Sequence, residues 1–313
     1  MQIYSGDLLF MPPIQDPTVL TIGNFDGLHK GHVFLLKELL RLARQKSCAA
    51  SIVTFEPHPG RFFSKNPYPP LLTPELRRLR FAALGVDYLI VQSFDIKFSE
   101  VEPEVFLRQY LLPRVPLKSL LLGYDFRFGR GSRGDFDLAK SCLADQTLDV
   151  LQAAAFNDQG GVVSSSRVRE NLLAGKIAIA NELLGYDYSI RGRVVKGLAM
   201  GRQLGFPTAN LDSIQVMLPA SGVYRGAVKI DERVHLALIN IGHKPTLASG
   251  QEKTCECHIV DFSGDLYGFE LTFYFKEKMR DELKFSSLDE LKAQIAKDIA
   301  EASREPVEIK DWL

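Results

Sequence analysis

The sequence predicts two domains of different classes: an α/β doubly wound parallel sheet, followed by a C-terminal antiparallel β-barrel with a terminal helix. At 313 residues the chain is longer than one hydrophobic core usually organises. In its first half, continuous apolar runs alternate with helical spacers, which is typical of a parallel sheet covered on both faces. Beyond about residue 185 the runs become short and alternating, with Gly, Pro and Asp between them, as in antiparallel barrels. We therefore expect domains at residues 1–184 and 185–313.

The first half is predicted to contain five buried strands with helices between them. The strands are expected at 18–23, 48–55, 86–94, 117–126 and 148–156. After the first strand, helical spacing is shown by Leu36, Leu39, Leu40 and Ala43. A second helix is predicted before Gly85, because Thr73 suits its N-cap and Pro74 its first turn.

The second half is predicted to form the barrel strands and one amphipathic helix. The expected strands are the alternating runs at 188–195, 222–230, 234–242, 254–262 and 270–279. The helix begins at a predicted capping box of Ser287 and Glu290. Its apolar face is expected to carry Leu288, Leu291, Ile295 and Ile299.

Charge and cysteine content exclude several classes of protein. Lys+Arg and Asp+Glu balance at 38 each, so no overall field would gather nucleic acid or an anionic membrane. We find no uninterrupted apolar stretch of about 18 residues, the length of a membrane span. The four cysteines form no CxxC, and Cys255 and Cys257 fit one face of a strand as small structural residues. These features indicate a cytoplasmic, reduced protein, and they leave a local basic patch possible.

The segment "GNFDGLHKGH" (23–32) places two histidines where the first strand gives way to the first helix. A helix N-terminus offers free N–H groups and the positive end of the dipole, which suit a phosphate. Gly31 is expected to let the phosphate approach, while His29 and His32 donate to its oxygens and stabilise charge that develops there. The alternative is that one histidine caps the helix and the other is exposed.

Three other segments of the first half are candidates for ligand contacts. "SSSRVR" combines Ser164, Ser165 and Ser166 with Arg167 and Arg169 just before a helix, which suits a polyphosphate or, alternatively, a plain N-cap. "GYDFRFGRGSRGD" (123–135) mixes aromatic and basic residues beyond a strand end, where a flat ring system would stack or the loop would simply pack. "FEPHPGRFF" (55–63) offers a similar mixture, including Phe62.

The segment "KGLAMGRQLGFPTANL" (196–211) is the most specific of the second half. Gly197, Gly201 and Gly205 supply a flexible loop whose amides suit phosphate oxygens. Thr208 and Asn210 lie at i and i+2 of an extended segment and are hard oxygen ligands suited to Mg²⁺; the alternative is that they cap a turn.

A carboxylate stands in the otherwise apolar, cysteine-rich strand "CECH". Glu256 is a candidate general base if it faces a pocket, and a solvated outward residue if it does not.

Together these segments resemble the bifunctional bacterial riboflavin kinase/FAD synthetase family over nearly the whole chain. "GNFDGLHKGH", "TFEPHP", "GYDFRFG" and "SSSRVR" occur in the order of its FMN adenylyltransferase module, whose sheet is nucleotidyltransferase-like. "GRQLGFPTAN", "GVYRG", "NIGHKPT", "CECHIVDFSGDLYG" and "MRDELKF" resemble its flavokinase module. One departure is Arg225, which follows Tyr224 where a small residue is frequent in the family.

The resemblance implies a role for each candidate residue. His29 and His32 would stabilise the α-phosphate of ATP, and Glu256 would be the base for the ribityl 5′-hydroxyl. Thr208 and Asn210 would hold Mg²⁺ with ATP. Nucleotide contacts are predicted for Gly23, Phe25, Gly31, Ser164, Ser165, Ser166, Arg167, Arg169, Gly197, Gly201 and Gly205. Flavin contacts are predicted for Asp125, Phe62, Phe126, Phe128 and Arg280.

The predicted function is therefore phosphorylation of riboflavin to FMN, followed by adenylylation of FMN to FAD with release of pyrophosphate. One alternative keeps the nucleotidyltransferase domain but gives it another phosphate-bearing acceptor, such as nicotinamide mononucleotide or pantetheine phosphate. In that case the barrel would be a non-catalytic binding module. A non-enzymatic alternative makes the barrel a nucleic-acid or flavin-sensing module; the lack of an aromatic-basic stripe at strand spacing argues against nucleic acid.

Overall fold

A computed structural model describes residues 1–65, 67–197, 201, 204–246 and 250–312 of the chain. The chain divides into two compact units. The first comprises Met1–Tyr68 and Leu72–Val163, and the second comprises Pro69–Leu71 and Ser164–Trp312. Each unit has its own sheet.

The first unit is built on a six-stranded sheet in which every neighbouring pair is parallel. Its strands are β1 (Gln2–Gly6), β2 (Thr18–Ile22), β3 (Ala49–Glu56), β4 (Tyr88–Ser93), β5 (Leu117–Leu122) and β6 (Asp149–Gln152), in the spatial order β1-β4-β3-β2-β5-β6. All residues of β2 are buried, as expected for a central strand covered on both faces. The predicted parallel sheet is confirmed. The short pair β7 (Asn157–Asp158) and β8 (Gly161–Val162) forms a separate hairpin.

Helices lie between these strands. They are α1 (Lys30–Lys46), α2 (Pro59–Phe62), α3 (Pro74–Leu84), α4 (Ile96–Ser99), α5 (Pro103–Val105), which continues as a π-helix over Phe106–Leu111, and α6 (Phe136–Cys142). The predicted signals of α3 are confirmed, since the Thr73 side chain accepts from the Leu76 amide and Gly85 ends the helix with a left-handed φ of 89°. Of the α1 residues at helical spacing, Leu36, Leu39 and Ala43 are buried, whereas Leu40 is partly exposed.

The second unit contains a closed barrel of six antiparallel strands. They are β9 (Ser189–Val195), β10 (Thr208–Asp212), β11 (Gly222–Ile230), β12 (Arg233–Thr246), β13 (Gly250–Ile259) and β14 (Glu270–Arg280), in the order β10-β13-β12-β11-β14-β9. β10 also pairs with β9, which closes the barrel. The predicted barrel is confirmed, and the extended segment around Thr208 supplies its sixth strand.

Among the described residues of the second unit, the helices include α7 (Ser165–Leu173), α8 (Ile177–Leu184) and α9 (Leu288–Ala302). The Ser287 hydroxyl caps α9 by accepting from the Glu290 amide, as predicted. The reciprocal half of the capping box is wrong, because the Glu290 carboxylate accepts from the Ser286 amide at 3.0 Å. Leu288 does not belong to the buried face either, since it is 61% exposed at the start of the helix.

Candidate active sites

The two histidines of the first unit lie against each other at the start of α1. His29 is the N-cap residue, and its Nδ1 accepts from the backbone N–H of His32 at 3.3 Å. The two rings are stacked, with centroids 3.7 Å apart and planes 19° apart. The alternative from the sequence is therefore correct for His29, which caps the helix, but His32 is packed on it and only partly exposed.

The hydrogen bonds of these rings determine where a neutral imidazole carries its proton. Nδ1 of His29 accepts a hydrogen bond, so the proton of the neutral ring is on Nε2. Nδ1 of His32 is buried and meets no hydrogen-bond partner among the described residues. A proton there would be left without an acceptor, so Nε2 is again the favoured position. Both rings are thus arranged to donate from Nε2.

The surroundings of His32 favour its neutral form. Burial is the main cause that holds the pKa of His32 well below its ordinary value of 6.5, and the nearby charges of His29, Arg77 and His58 lower it further. Arg77 is buried on α3, where its guanidinium donates to the Asn24 carbonyl and to a Glu56 carboxylate oxygen, both at 2.8 Å. Arg77 was not predicted as a site residue from the sequence. The available signal was an arginine at a position of α3 that faces the sheet.

Gly31 lies close to the His29 ring and to the backbone of Val163. A Cβ at this position would lie 3.1 Å from the His29 ring and 3.2 Å from the Val163 carbonyl oxygen. Glycine therefore gives the His29 ring room at this position, and the contact of Gly31 with a phosphate stays a prediction.

Gly23 and Phe25, both predicted to contact nucleotide, pack below the histidines. Phe25 is 1% exposed, and its ring meets the edges of His32 and Phe81 at centroid distances of 5.3 and 5.5 Å. A Cβ at Gly23 would lie 3.0 Å from the Phe25 ring. The structure thus gives both residues a packing role that supports His32; their contact with nucleotide stays a prediction.

The residues of the first unit that are predicted to contact flavin differ in exposure to solvent. Phe128 is buried, with its ring stacked on Phe126 at 5.7 Å, whereas Asp125 is exposed. Phe62 is partly exposed on α2 and packs edge-on against Phe94 at 5.4 Å. The accessible candidates for stacking are therefore Phe126 and Phe62.

The arginines of the loop 123–135 are paired with carboxylates. Arg127 pairs with Asp135 at 2.7 Å, Arg130 with Glu100 at 2.9 Å and Arg133 with Glu102 at 3.1 Å. The alternative that this loop packs on its own surroundings therefore accounts for its basic residues.

The serine-rich segment starts α7 and belongs to the second unit. Ser164 is its N-cap, accepting from the Arg167 amide at 3.3 Å. Ser165, Ser166, Arg167 and Arg169 follow within the first turns of the helix. The N-cap interpretation is thus correct for Ser164, and the polyphosphate role of this segment stays a prediction.

The barrel places the candidate residues of the second unit on the outer face of neighbouring strands. On β13, Cys255 and Cys257 are buried inside, so Glu256 between them points outward. Glu256 pairs in register with Asn210 of β10 on one side and Asn240 of β12 on the other. Side chains at paired positions share a face. The carboxylate therefore stands in a row between two amides.

The next row on this face contains Thr208, His258 and Leu238, again in register across the three strands. Thr208 and Asn210 point to the same side, as predicted, because Ala209 between them is buried. Nδ1 of His258 lies 2.9 Å from the Pro207 carbonyl oxygen, and its ring meets Phe206 edge-on at 5.7 Å. His258 thus holds the segment that leads into Thr208.

Two cavities adjoin these rows. One, of about 340 Å³, is lined by residues that include Thr208, Glu256, Arg280 and Asp298. The other, of about 270 Å³, is lined by Val194, Pro207, Phe262, Asp265, Tyr267 and others. Thr208 lines both cavities. Thr208 therefore lies between the two cavities.

Arg280 enters the larger cavity as one half of a buried ion pair. Its Nε and a terminal nitrogen donate to Asp298 Oδ2 at 3.0 and 2.7 Å, and Asp298 is 4% exposed. Gln294 donates to the other oxygen of Asp298 at 2.7 Å. Asp298 was not predicted as a site residue from the sequence. The available signal was a carboxylate on the same helical face as Leu291 and Ile295.

The three predicted glycines have separate local roles. A Cβ at Gly197 would overlap the side-chain amide of Asn210, and one at Gly201 would overlap the Phe206 carbonyl oxygen. Gly205 adopts a left-handed φ of 87°, which favours glycine. Residues 198–200 and 202–203 of this segment lie outside the described residues. Contacts between these glycines and a nucleotide stay a prediction.

The cysteines of β13 are a buried pair. Their sulfur atoms are 3.8 Å apart, and all four cysteines of the chain are free thiols. Burial raises the pKa of Cys257 well above its ordinary value, which makes the thiol unreactive.

Comparison with known families matches each half of the chain. The family model described as FAD synthetase matches residues 11–167, and the one described as riboflavin kinase matches residues 184–305. Among curated proteins, the bifunctional riboflavin kinase/FMN adenylyltransferase of Escherichia coli K12 is 39% identical over 91% of each chain. The protein of the same description from Pseudomonas fluorescens is 36% identical over 96% of this chain and 97% of its own.

Among solved structures, a protein from Streptococcus pneumoniae described as a macrolide-efflux protein superimposes with a TM-score of 0.89. It is 28% identical, and the match covers 97% of this chain and 99% of that one. In the part of the chain that the structure describes, no helix has the length and apolar character to cross a membrane.

Proposed function

Because the chain belongs to the bifunctional riboflavin kinase/FMN adenylyltransferase family and so converts riboflavin to FMN and FMN to FAD with ATP, we propose which residues perform each step. We assign the adenylyltransferase reaction to residues 1–184 and the kinase reaction to residues 185–313. Both reactions consume ATP and the cysteines are free thiols, which supports a cytoplasmic location.

In the kinase reaction, riboflavin occupies the 340 Å³ cavity and the ATP phosphates reach in from the 270 Å³ cavity. The observation that carries this assignment is that Thr208 lines both cavities while Glu256 lines the larger one. The ribityl 5′-hydroxyl and the γ-phosphate then meet beside Glu256. Bringing the two reactants together in this way supplies much of the acceleration in phosphoryl transfer.

Glu256 is the general base of this step. Its carboxylate takes the proton of the 5′-hydroxyl as that oxygen bonds to the γ-phosphorus, and the bond from γ-phosphorus to the ADP oxygen breaks. The products are FMN and ADP. Asn210 and Asn240, on either side of Glu256, are placed to orient the carboxylate and the hydroxyl.

The donor set beside Glu256 suits a magnesium ion. The Thr208 hydroxyl and the Asn210 amide oxygen lie on one face of β10, and both are hard oxygen donors. Gly197 leaves the space that the Asn210 amide occupies. We assign Mg²⁺ to Thr208 and Asn210; when bound, it neutralises charge on the ATP phosphates.

In the adenylyltransferase reaction, His29 and His32 bind the α-phosphate of ATP from the start of α1. An oxygen of the FMN phosphate bonds to the α-phosphorus, the bond to the pyrophosphate oxygen breaks, and pyrophosphate leaves. The attacking phosphate is already anionic, so the step needs no general base. The histidines donate from Nε2 to oxygens where negative charge grows.

The remaining site predictions complete this assignment. Ser164–Ser166, Arg167 and Arg169 bind the leaving pyrophosphate, supported by the N-terminus of α7. Asp125 and Phe126 contact the flavin of FMN, and Arg280 contacts riboflavin in the kinase cavity.

The proposal is tested by incubating the purified protein with riboflavin and ATP, with and without Mg²⁺, and separating the flavins by chromatography. We expect FMN to appear first and FAD to follow, with FMN formation requiring the metal. Starting from FMN should yield FAD and pyrophosphate alone. FMN formation that proceeds fully after removal of all divalent metal would contradict the Thr208–Asn210 assignment.

A further inference from the structure

We propose that Arg225 is a positioning residue for riboflavin in the kinase cavity, acting through α9. The inference rests on the proposed function, since it takes the 340 Å³ cavity as the riboflavin site. Arg225 lies on β11 and is 9% exposed. Val223, two residues earlier on the same face of the strand, lines that cavity. Arg225 itself does not, so any effect on riboflavin has to pass through another element.

Arg225 binds the last carbonyl of α9 and two carbonyls of the segment that follows the helix. Its Nε donates to the Ala302 carbonyl oxygen at 2.9 Å, and one terminal nitrogen donates to the Glu305 and Pro306 carbonyl oxygens at 2.8 and 3.0 Å. The last carbonyls of a helix have no partner within the helix and form the negative end of its dipole. A buried guanidinium satisfies both requirements, because it combines positive charge with a rigid fork of donors.

The helix that Arg225 holds forms one wall of the cavity. Leu291, Ile295 and Asp298 of α9 all line it. Asp298 lies one turn before Ala302 and binds Arg280 at 2.7 Å, which places the guanidinium of Arg280 in the same cavity. Val223 of β11 pairs with Arg280 of β14, so both anchors of α9 come from adjacent strands. Moving the end of α9 would therefore move Asp298, and with it Arg280.

The smaller cavity, which we assign to ATP, includes no residue of α9 among those that line it. Loss of Arg225 should therefore weaken riboflavin binding and leave ATP binding unchanged. A general loss of stability would instead weaken the binding of both substrates.

The test is Arg225→Met, with steady-state kinase kinetics in each substrate and the thermal melt of the full chain. We expect the KM for riboflavin to rise about tenfold, with kcat within about threefold and the KM for ATP unchanged, because the lost interaction acts on bound substrate rather than on the reacting atoms. The matched control is Arg191→Met, since Arg191 also pairs with a barrel residue, Glu270, but at the surface. It should alter neither KM by more than about twofold.

The route through Asp298 is tested by a double-mutant cycle. Asp298→Asn should also raise the KM for riboflavin, and adding Arg225→Met to it should raise the KM by clearly less than about tenfold, because both changes release the same wall. Fully multiplicative effects would show that Arg225 does not act through Asp298.

Folding of the variant is monitored independently of activity. The chain has one tryptophan, Trp312, which packs edge-on against Tyr186 at 5.8 Å, beyond the carbonyls that Arg225 binds. Its emission spectrum reports whether this part is docked. If Arg225→Met does not fold, Arg225→Lys and Arg225→Gln replace it, and the proposal requires the KM for riboflavin to increase from wild type to Lys to Gln.

An unchanged KM for riboflavin in a folded Arg225 variant overturns the inference, even if its melting temperature falls. Equal increases in both KM values overturn it as well. Failure of the proposed function would look different, because the wild-type protein would then make no FMN from riboflavin.

Discussion

The histidine site of the first unit and the carboxylate site of the barrel differ in how much of the chain each one uses. The histidine motif occupies ten consecutive residues, 23–32, at one strand-to-helix junction. The barrel site combines Thr208, Glu256, Arg280 and Asp298 from three strands and a helix. Local backbone geometry fixes the first site, because His29 caps the helix that carries His32. Strand register and helix packing fix the second, so distant substitutions such as those at Arg225 are expected to reach only the barrel site.

The largest effect is expected at the barrel site. Glu256→Gln keeps the size and the strand pairing but removes the proton acceptor, so FMN formation should fall by about 10²–10⁴-fold. Conversion of FMN to FAD should continue at the wild-type rate. Both are measured by chromatography of the flavins. Glu270→Gln is the control, since Glu270 lies on β14 and pairs with Arg191 at the surface. Near-normal kinase turnover in Glu256→Gln would disprove the assignment of the base.

The reciprocal effect is expected at the histidine site. His32→Ala removes one Nε2 donor and the ring on which His29 is stacked, so FAD formation should fall by about 10²–10³-fold. FMN should accumulate from riboflavin, because the barrel is unchanged. The combined variant with His29→Ala should make no detectable FAD. If either change also stopped FMN formation, the two reactions would not use separate sites.

Local patterns in the sequence predicted most of the fold. β2 to β6 and five barrel strands follow from apolar runs, since burial on one or both faces imposes a period that single sequences display. β1 was missed because it is an edge strand whose residues are mostly exposed, so it has no apolar run to detect. The predicted strand at 117–126 was too long, because the chain leaves the sheet after Leu122 and turns at Tyr124 and Asp125.

The residues of a candidate site could be predicted only where they lie close together in the sequence. The pairing of His29 with His32 was visible, since the two lie three positions apart at a helix start. Asp298 was not, because its partner Arg280 lies eighteen positions away on another element and only packing brings them together. The reason for Gly31 was also out of reach, since the Val163 carbonyl that crowds it comes from the other end of the first unit.

A glycine substitution beside the proposed metal ligands should have a smaller effect on the kinase reaction. Gly197→Ala would push a Cβ onto the Asn210 amide and so displace a proposed metal ligand. We expect kinase activity to fall about tenfold at low Mg²⁺ and to recover in part at high Mg²⁺, with FAD formation from FMN unaffected. Titrating Mg²⁺ against kinase rate measures this. Gly123→Ala is the control for loss of a glycine, since a Cβ there would come no closer than 3.9 Å to its neighbours. An identical metal dependence in Gly197→Ala and wild type would contradict the role of Asn210.

The smallest expected effect is on the stability of the folded protein in acid, and it depends on His32 of the histidine site. Burial, with the charges of His29, Arg77 and His58, holds the pKa of His32 below the ordinary value of 6.5. Below pH 6.5 the unfolded chain therefore binds a proton that the folded chain does not, and acid favours unfolding. The contribution of neutral His32 to stability is complete above pH 6.5 and is lost as the pH falls towards the lower, folded pKa. Melting temperatures between pH 7.5 and 5.5 should thus fall more steeply for wild type than for His32→Gln. Parallel slopes would mean that this imidazole does not resist protonation, and the assignment of neutral Nε2 donors to the phosphate would fail with it.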